Sequence, residues 1–139
     1  MTWQLFDTEI NGTPAQVLLD DSFNKDAPSD ELPTLTRFAV FCQQPAEGTY
    51  WHPDEAAALD KVENDLLGAS NHFGKGWVVY VRRVDSPGLR EYYLYSGGDA
   101  DLAQVLPALT ALHPDYRIEV NTASDPGWKQ YSSWLAAQR

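Results

Sequence analysis

A few short stretches of this chain hold residue types that could do chemistry. The run His52-Pro53-Asp54-Glu55 sets an imidazole beside two carboxylates, the ingredients of a metal site or an acid–base pair. Ordinary helix initiation accounts for the same residues. Pro53 suits a first helical position, and Asp54 and Glu55 suit the positive N-terminal end. Glu55 and Glu63 stand eight residues apart, near one helical face. As an acid and a base they would need a cleft, and without one they read as helix surface. His52, His72 and His113 all fall in or beside expected loops, and none has a second ligand type four residues away. Cys42 is the one cysteine; in an apolar strand it is an inert thiol, and it excludes an intrachain disulfide. "SGGDAD", Ser96 to Asp101, is a glycine turn entering a helix, a geometry that can hold an anion. Asp99 and Asp101 would repel phosphate there, and the phosphate-loop lysine pattern is missing. No catalytic signature emerges, and no metal or cofactor is expected.

The elements that would position these residues follow from pattern. "TWQLFDTEINGTPAQVLLDD" reads as two strands around Asn11-Gly12, both residues tolerating the positive φ of a type I′ hairpin turn. Pro14 lacks an N–H, which places its strand on an edge. "TLTRFAVFCQ" is apolar on both faces in its middle, the mark of a central strand. A helix follows over "HPDEAAALDKVENDLLGASN", with Leu59, Val62 and Leu66 as its buried stripe. "GWVVYVRRV" and "LREYYLYS" pair around a type II turn at Pro87-Gly88. Leu102, Val105, Leu109 and Leu112 give a second helical stripe, where Pro107 predicts a kink or two short helices. "YRIEVNT" alternates as a strand, with Tyr116, Ile118 and Val120 on one face. Asp125 can cap a last helix over 125–138, with Pro126 at its first position.

The order β-β-β-α-β-β-α-β-α makes a single α+β domain. Its middle, residues 34–122, is the β-α-β-β-α-β run of a ferredoxin-like split unit, with two helices on one face of an antiparallel sheet. The hairpin over 1–21 extends that sheet. Closing the second hairpin with Val84 opposite Leu89 pairs Arg82 with Glu91, Tyr80 with Tyr93 and Val78 with Tyr95. One face then carries Tyr80, Tyr93, Tyr95 and the ion pair Arg82–Glu91. Trp77, Val79, Val81, Tyr92 and Leu94 turn toward the helices. The tyrosine face is the candidate binding surface. The last helix must bury Trp128, Tyr131 and Leu135, with Trp134 beside them. Laid across the tyrosines, it would satisfy both surfaces.

Charge narrows the choice of partner. The 139 residues carry a formal net charge of -10, with a pI of about 4.5. Such a surface repels phosphate backbones and anionic membranes, so neither nucleic acid nor membrane is an expected partner. The basic strand signature of RNA-recognition domains is also absent, although an open aromatic face is how those domains stack bases. A basic protein partner would be attracted and steered; solubility alone is the plainer reading. From Asp20 to Glu31 a polar loop holds Asp20, Asp21, Asp26, Asp30 and Glu31 against Lys25 alone, so it joins the candidate binding surface. The chain opens without a basic, apolar leader and has no run of membrane-spanning length, so a soluble cytoplasmic protein is expected.

"DPGWKQY", "LREYYLYS" and the run Glu55, Leu59, Glu63 together resemble the bacterial family known as domain of unknown function 695, over nearly the whole chain. The stretch "QPAEGTYWHPDE" departs from the plainer glycine-containing loop expected there. That family implies no activity. It is distantly similar to the regulator of ribonuclease E activity B family, whose small acidic ferredoxin-like members inhibit an enzyme by binding it. Two readings of function result. The leading one is a non-enzymatic acidic module that binds and regulates another protein. The alternative is a small enzyme or ligand-binding protein with a pocket between the sheet and the C-terminal helix, lined by Tyr80, Arg82, Glu91 and Tyr93.

Overall fold

The computed structural model describes residues 3–22, 31–43, 50–75, 77–98 and 100–137. The N-terminal hairpin is β1 (Trp3–Ile10) and β2 (Thr13–Asp20). Asn11 and Gly12 take φ of 53° and 81° between them, the left-handed pair that a type I′ turn requires. β3 (Thr34–Phe41) precedes a 3₁₀ turn, Pro53–Glu55, which runs into α1 (Ala56–Phe73). The His52 ring accepts the Asp54 N–H and so caps this helical start. β4 (Val78–Ser86) and β5 (Leu89–Ser96) form the second hairpin, with Gly88 at φ 76° in its turn. A 3₁₀ turn at Leu102–Gln104 leads into α2 (Val105–Leu112), followed by β6 (Arg117–Ser124) and α3 (Lys129–Ala137).

These strands make one six-stranded antiparallel sheet in the order β1-β2-β4-β5-β3-β6. The class is therefore mixed α+β. β3, expected to be central, lies between β5 and β6. β2 is not the edge that Pro14 implied. It pairs with β4 only over Gln16–Leu19, so the proline sits beyond that ladder and its missing N–H breaks nothing there. The stretch around Pro107 forms two short helical pieces, a 3₁₀ turn over Leu102–Gln104 and then α2, one of the two outcomes that residue predicted. α2 starts at Val105, which puts the proline in the first turn, where N–H groups have no intrahelical acceptor.

The sheet has two cores. On one face Leu59, Val62 and Leu66 of α1 and Val105 and Leu109 of α2 pack on Phe38, Val40, Tyr92, Leu94 and Ile118. On the other, Trp128 and Tyr131 pack on Ala15, Val17, Leu19, Val84 and Tyr95, with Trp134 and Leu135 at the margin.

Candidate functional site

The second core exists because Asp125 anchors the start of the last helix. Its carboxylate accepts the Lys129 N–H at 2.9 Å, the Gln130 N–H at 3.1 Å and the Tyr95 hydroxyl at 2.6 Å. Burial alone would raise its pKa. The Tyr95 hydroxyl and the two amides outweigh that and hold it below the ordinary value. The helix begins at Lys129 and not at Pro126, since Trp128 takes φ 50° and ends the turn after Asp125. That conformation is rare for a bulky residue, and burial keeps it in place. The Trp128 ring stacks on Tyr95 at 4.2 Å, and its indole N–H donates to the Leu32 carbonyl at 2.9 Å. Tyr131 donates to the Asp20 carbonyl at 2.6 Å, tying α3 to the far side of the sheet.

Between α3 and the sheet a cleft of about 300 Å³ remains, lined by Arg37, Arg82, Tyr93, Asn121, Gln130 and Trp134 among others. The Arg82 guanidinium lies 4.4 Å from the Trp134 ring centre and 5.3 Å from that of Tyr93. The two rings meet edge to face at 4.9 Å. Arg37 donates through Nε to Glu91 and through Nη1 to Asn121 at 3.2 Å. The Tyr93 hydroxyl completes the cluster by donating to Glu91 at 3.0 Å.

The expected site residues are distributed differently from the inferred hairpin. The turn closes at Ser86 opposite Leu89, two residues later than expected, so Arg82 faces Tyr93 and Glu91 faces Val84. The expected Arg82–Glu91 pair is not formed; Glu91 pairs across β3 with Arg37. A register shift between Tyr80 and Arg82 places an extra residue in β4, which reverses the facing of everything before it. Tyr80 therefore leaves the tyrosine face. It packs beside Trp3 at 5.0 Å and Tyr92 at 6.0 Å, on the side of α1 and α2. Val79 and Val81 move the other way, into the core beneath α3. Tyr95 is in place but fully buried under Trp128, and Trp77 is 57% exposed rather than turned to the helices.

Of the acidic loop, Asp20 is buried at the end of β2, where Oδ1 accepts from the Ser22 amide and hydroxyl. Asp21 is half-buried and Glu31 exposed; Asp26 and Asp30 lie outside the described residues. Glu55 is no surface residue. It is buried, and its Oε2 accepts the Tyr116 hydroxyl at 2.6 Å and the Gln43 N–H at 2.8 Å. Glu63 instead pairs with Arg83 at 3.1 Å. Burial above all raises the Cys42 thiol to about 11. His113 meets Asp65 at 2.7 Å.

Arg37, Asn121 and Gln130 are among the cleft residues that sequence reasoning missed. Arg37 was legible only as a charge interrupting an apolar strand, and its pairing with β5 and β6 needed the strand order. Among the described residues no group of His, Cys, Asp and Glu is arranged to hold a metal ion, and no helix is long and apolar enough to cross a membrane. The chain matches no curated protein and no solved structure. A family model does match residues 1–136, nearly all of the sheet and helices described above. The chain thus belongs to the family of unknown function DUF695.

Proposed function

We infer that the chain is a non-enzymatic protein-binding module and that its contact surface is the outer side of β1. The observation that carries this reading is an eight-residue edge strand, Trp3–Ile10, hydrogen-bonded to β2 alone among the described strands. An open edge offers a row of N–H and C=O groups to an added strand. β1 holds Asp7 and Glu9 and neither Lys nor Arg, and its Leu5 is 59% exposed. A second copy of β1 would bring like charges together. An extended partner segment with Lys or Arg between apolar residues would complement them. The net charge of -10 acts in the same direction by steering a basic partner.

The order β4-β5-β3-β6, with α1 and α2 on one face, supports reading residues 34–122 as a ferredoxin-like unit extended by the hairpin. A distant likeness to the regulator of ribonuclease E activity B family would make an inhibitor of an enzyme one form of this function.

The test compares wild type with the double variant Asp7→Lys, Glu9→Lys as tagged baits at low salt, followed by hydrogen exchange on any complex. Both positions are exposed, so the fold is kept. A partner that wild type retains, that the variant loses, and that protects β1 amides supports the reading. Equal capture by both baits, or protection elsewhere only, refutes it.

A further inference from the structure

The cleft beneath α3 has a composition at odds with the rest of the molecule. Acidic residues outnumber basic ones by 20 to 10 over the chain. Here two arginines, Arg37 and Arg82, line one cavity, and no carboxylate among the described residues lines it. Arg37 has its ion pair with Glu91. Arg82 has none among the described residues, and its Nε is buried without a hydrogen-bond partner. Burial pulls its pKa down, against the pull of Tyr93 and Glu91. A guanidinium withdrawn from water usually gains a paired carboxylate in exchange; among the described residues this one makes no ion pair and lies against the faces of two aromatic rings.

The geometry points to the α3 cleft as a binding site for a small organic acid, a carboxylate carrying a flat apolar body. The Arg82 fork and the remaining donors of Arg37 would meet the carboxylate, since planar guanidinium matches planar carboxylate through paired N–H donors. Trp134 and Tyr93 supply the wall for the apolar body. Asn121 and Gln130 offer neutral polar groups beside it, which do not repel an anion. A cleft of about 300 Å³ lies at the small end of ligand pockets, which suits a one-ring acid and excludes a nucleotide. This site is independent of the β1 edge: β6 helps to line the cleft, and β1 is the opposite edge of the sheet.

Benzoate, benzamide and inorganic phosphate are the probes, titrated into the full chain and followed by the Trp134 indole and Arg82 Nε–H resonances. Benzoate should give saturable shifts in the millimolar range, centred on those two signals. Benzamide and phosphate should each bind about tenfold more weakly or less, because one lacks the charge and the other the planar apolar body. Arg82→Gln should reduce benzoate affinity by about tenfold or more, and Arg82→Lys should recover only part of it, since ammonium keeps the charge without the fork. The wild-type shifts decide the matter even if a variant folds poorly. Equal binding of benzoate and benzamide, phosphate binding as tight as benzoate, shifts located elsewhere, or no saturable shift would each overturn the assignment.

Discussion

Replacing Trp128 by alanine tests the whole account of the second core. The side chain is 1% exposed, stacks on Tyr95 at 4.2 Å, meets Tyr131 edge to face at 5.5 Å and donates to the Leu32 carbonyl. Truncating so large a buried ring costs about 3–5 kcal/mol, with the cavity included. For a domain of this size that corresponds to a fall in melting temperature of roughly 10–20 °C. Trp128→Gly separates packing from backbone. The residue sits at φ 50°, where glycine is unstrained, so the glycine variant should be the more stable of the two by about 1 kcal/mol. Urea titrations and thermal melts of the three proteins, followed by circular dichroism, measure both differences. If Trp128→Ala melts within a degree or two of wild type, the ring does not hold α3 to the sheet. If alanine proves more stable than glycine, the left-handed conformation is wrong.

Three further outcomes follow from particular contacts. Asp125 has its folded pKa held below the ordinary value, so the stability it contributes is present above the unfolded pKa of about 3.9 and is lost as pH falls through the folded one; Asp125→Asn should flatten that acid limb in melts from pH 6 to 2. Tyr116→Phe removes the hydroxyl that donates to buried Glu55 at 2.6 Å, and chemical denaturation should show a loss of about 1.5–3 kcal/mol. Gly74→Ala would place a Cβ 1.9 Å from a Val78 methyl and 2.8 Å from the Ser70 carbonyl oxygen; its melting point should drop by an amount equivalent to about 1–3 kcal/mol.

Local features were legible where a residue's own geometry decides the matter. Asn11-Gly12 and Pro87-Gly88 make turns because of the φ values they allow, and both turns are present. The stripe Leu59, Val62, Leu66 lies buried because a helix with that spacing has one apolar face. Trp128, Tyr131 and Leu135 demanded cover, and the tyrosine face beneath them demanded it too; they meet. The candidate site was less legible. Its aromatic wall, Tyr93, and one of its two arginines, Arg82, were named on a register two residues out, so the partner assigned to Arg82 was wrong. Tyr80 was misplaced because nothing in "VVYVRRV" marks an extra residue, yet one such residue reverses the facing of everything before it.

By itself the sequence determined what depends on neighbours along the chain: turns, periodic stripes, the Asp125 anchor, the acidic balance and the order of elements. Tertiary structure alone decided what depends on neighbours across space. It set Glu91 against Arg37 through the pairing of β3 with β5, turned Glu55 inward to Tyr116, and set Arg82 against two rings with no ion pair among the described residues. The physical reason is range. A dihedral preference acts within a few residues, whereas an ion pair or a cleft is defined by strands that are far apart in sequence and adjacent only once the sheet has formed.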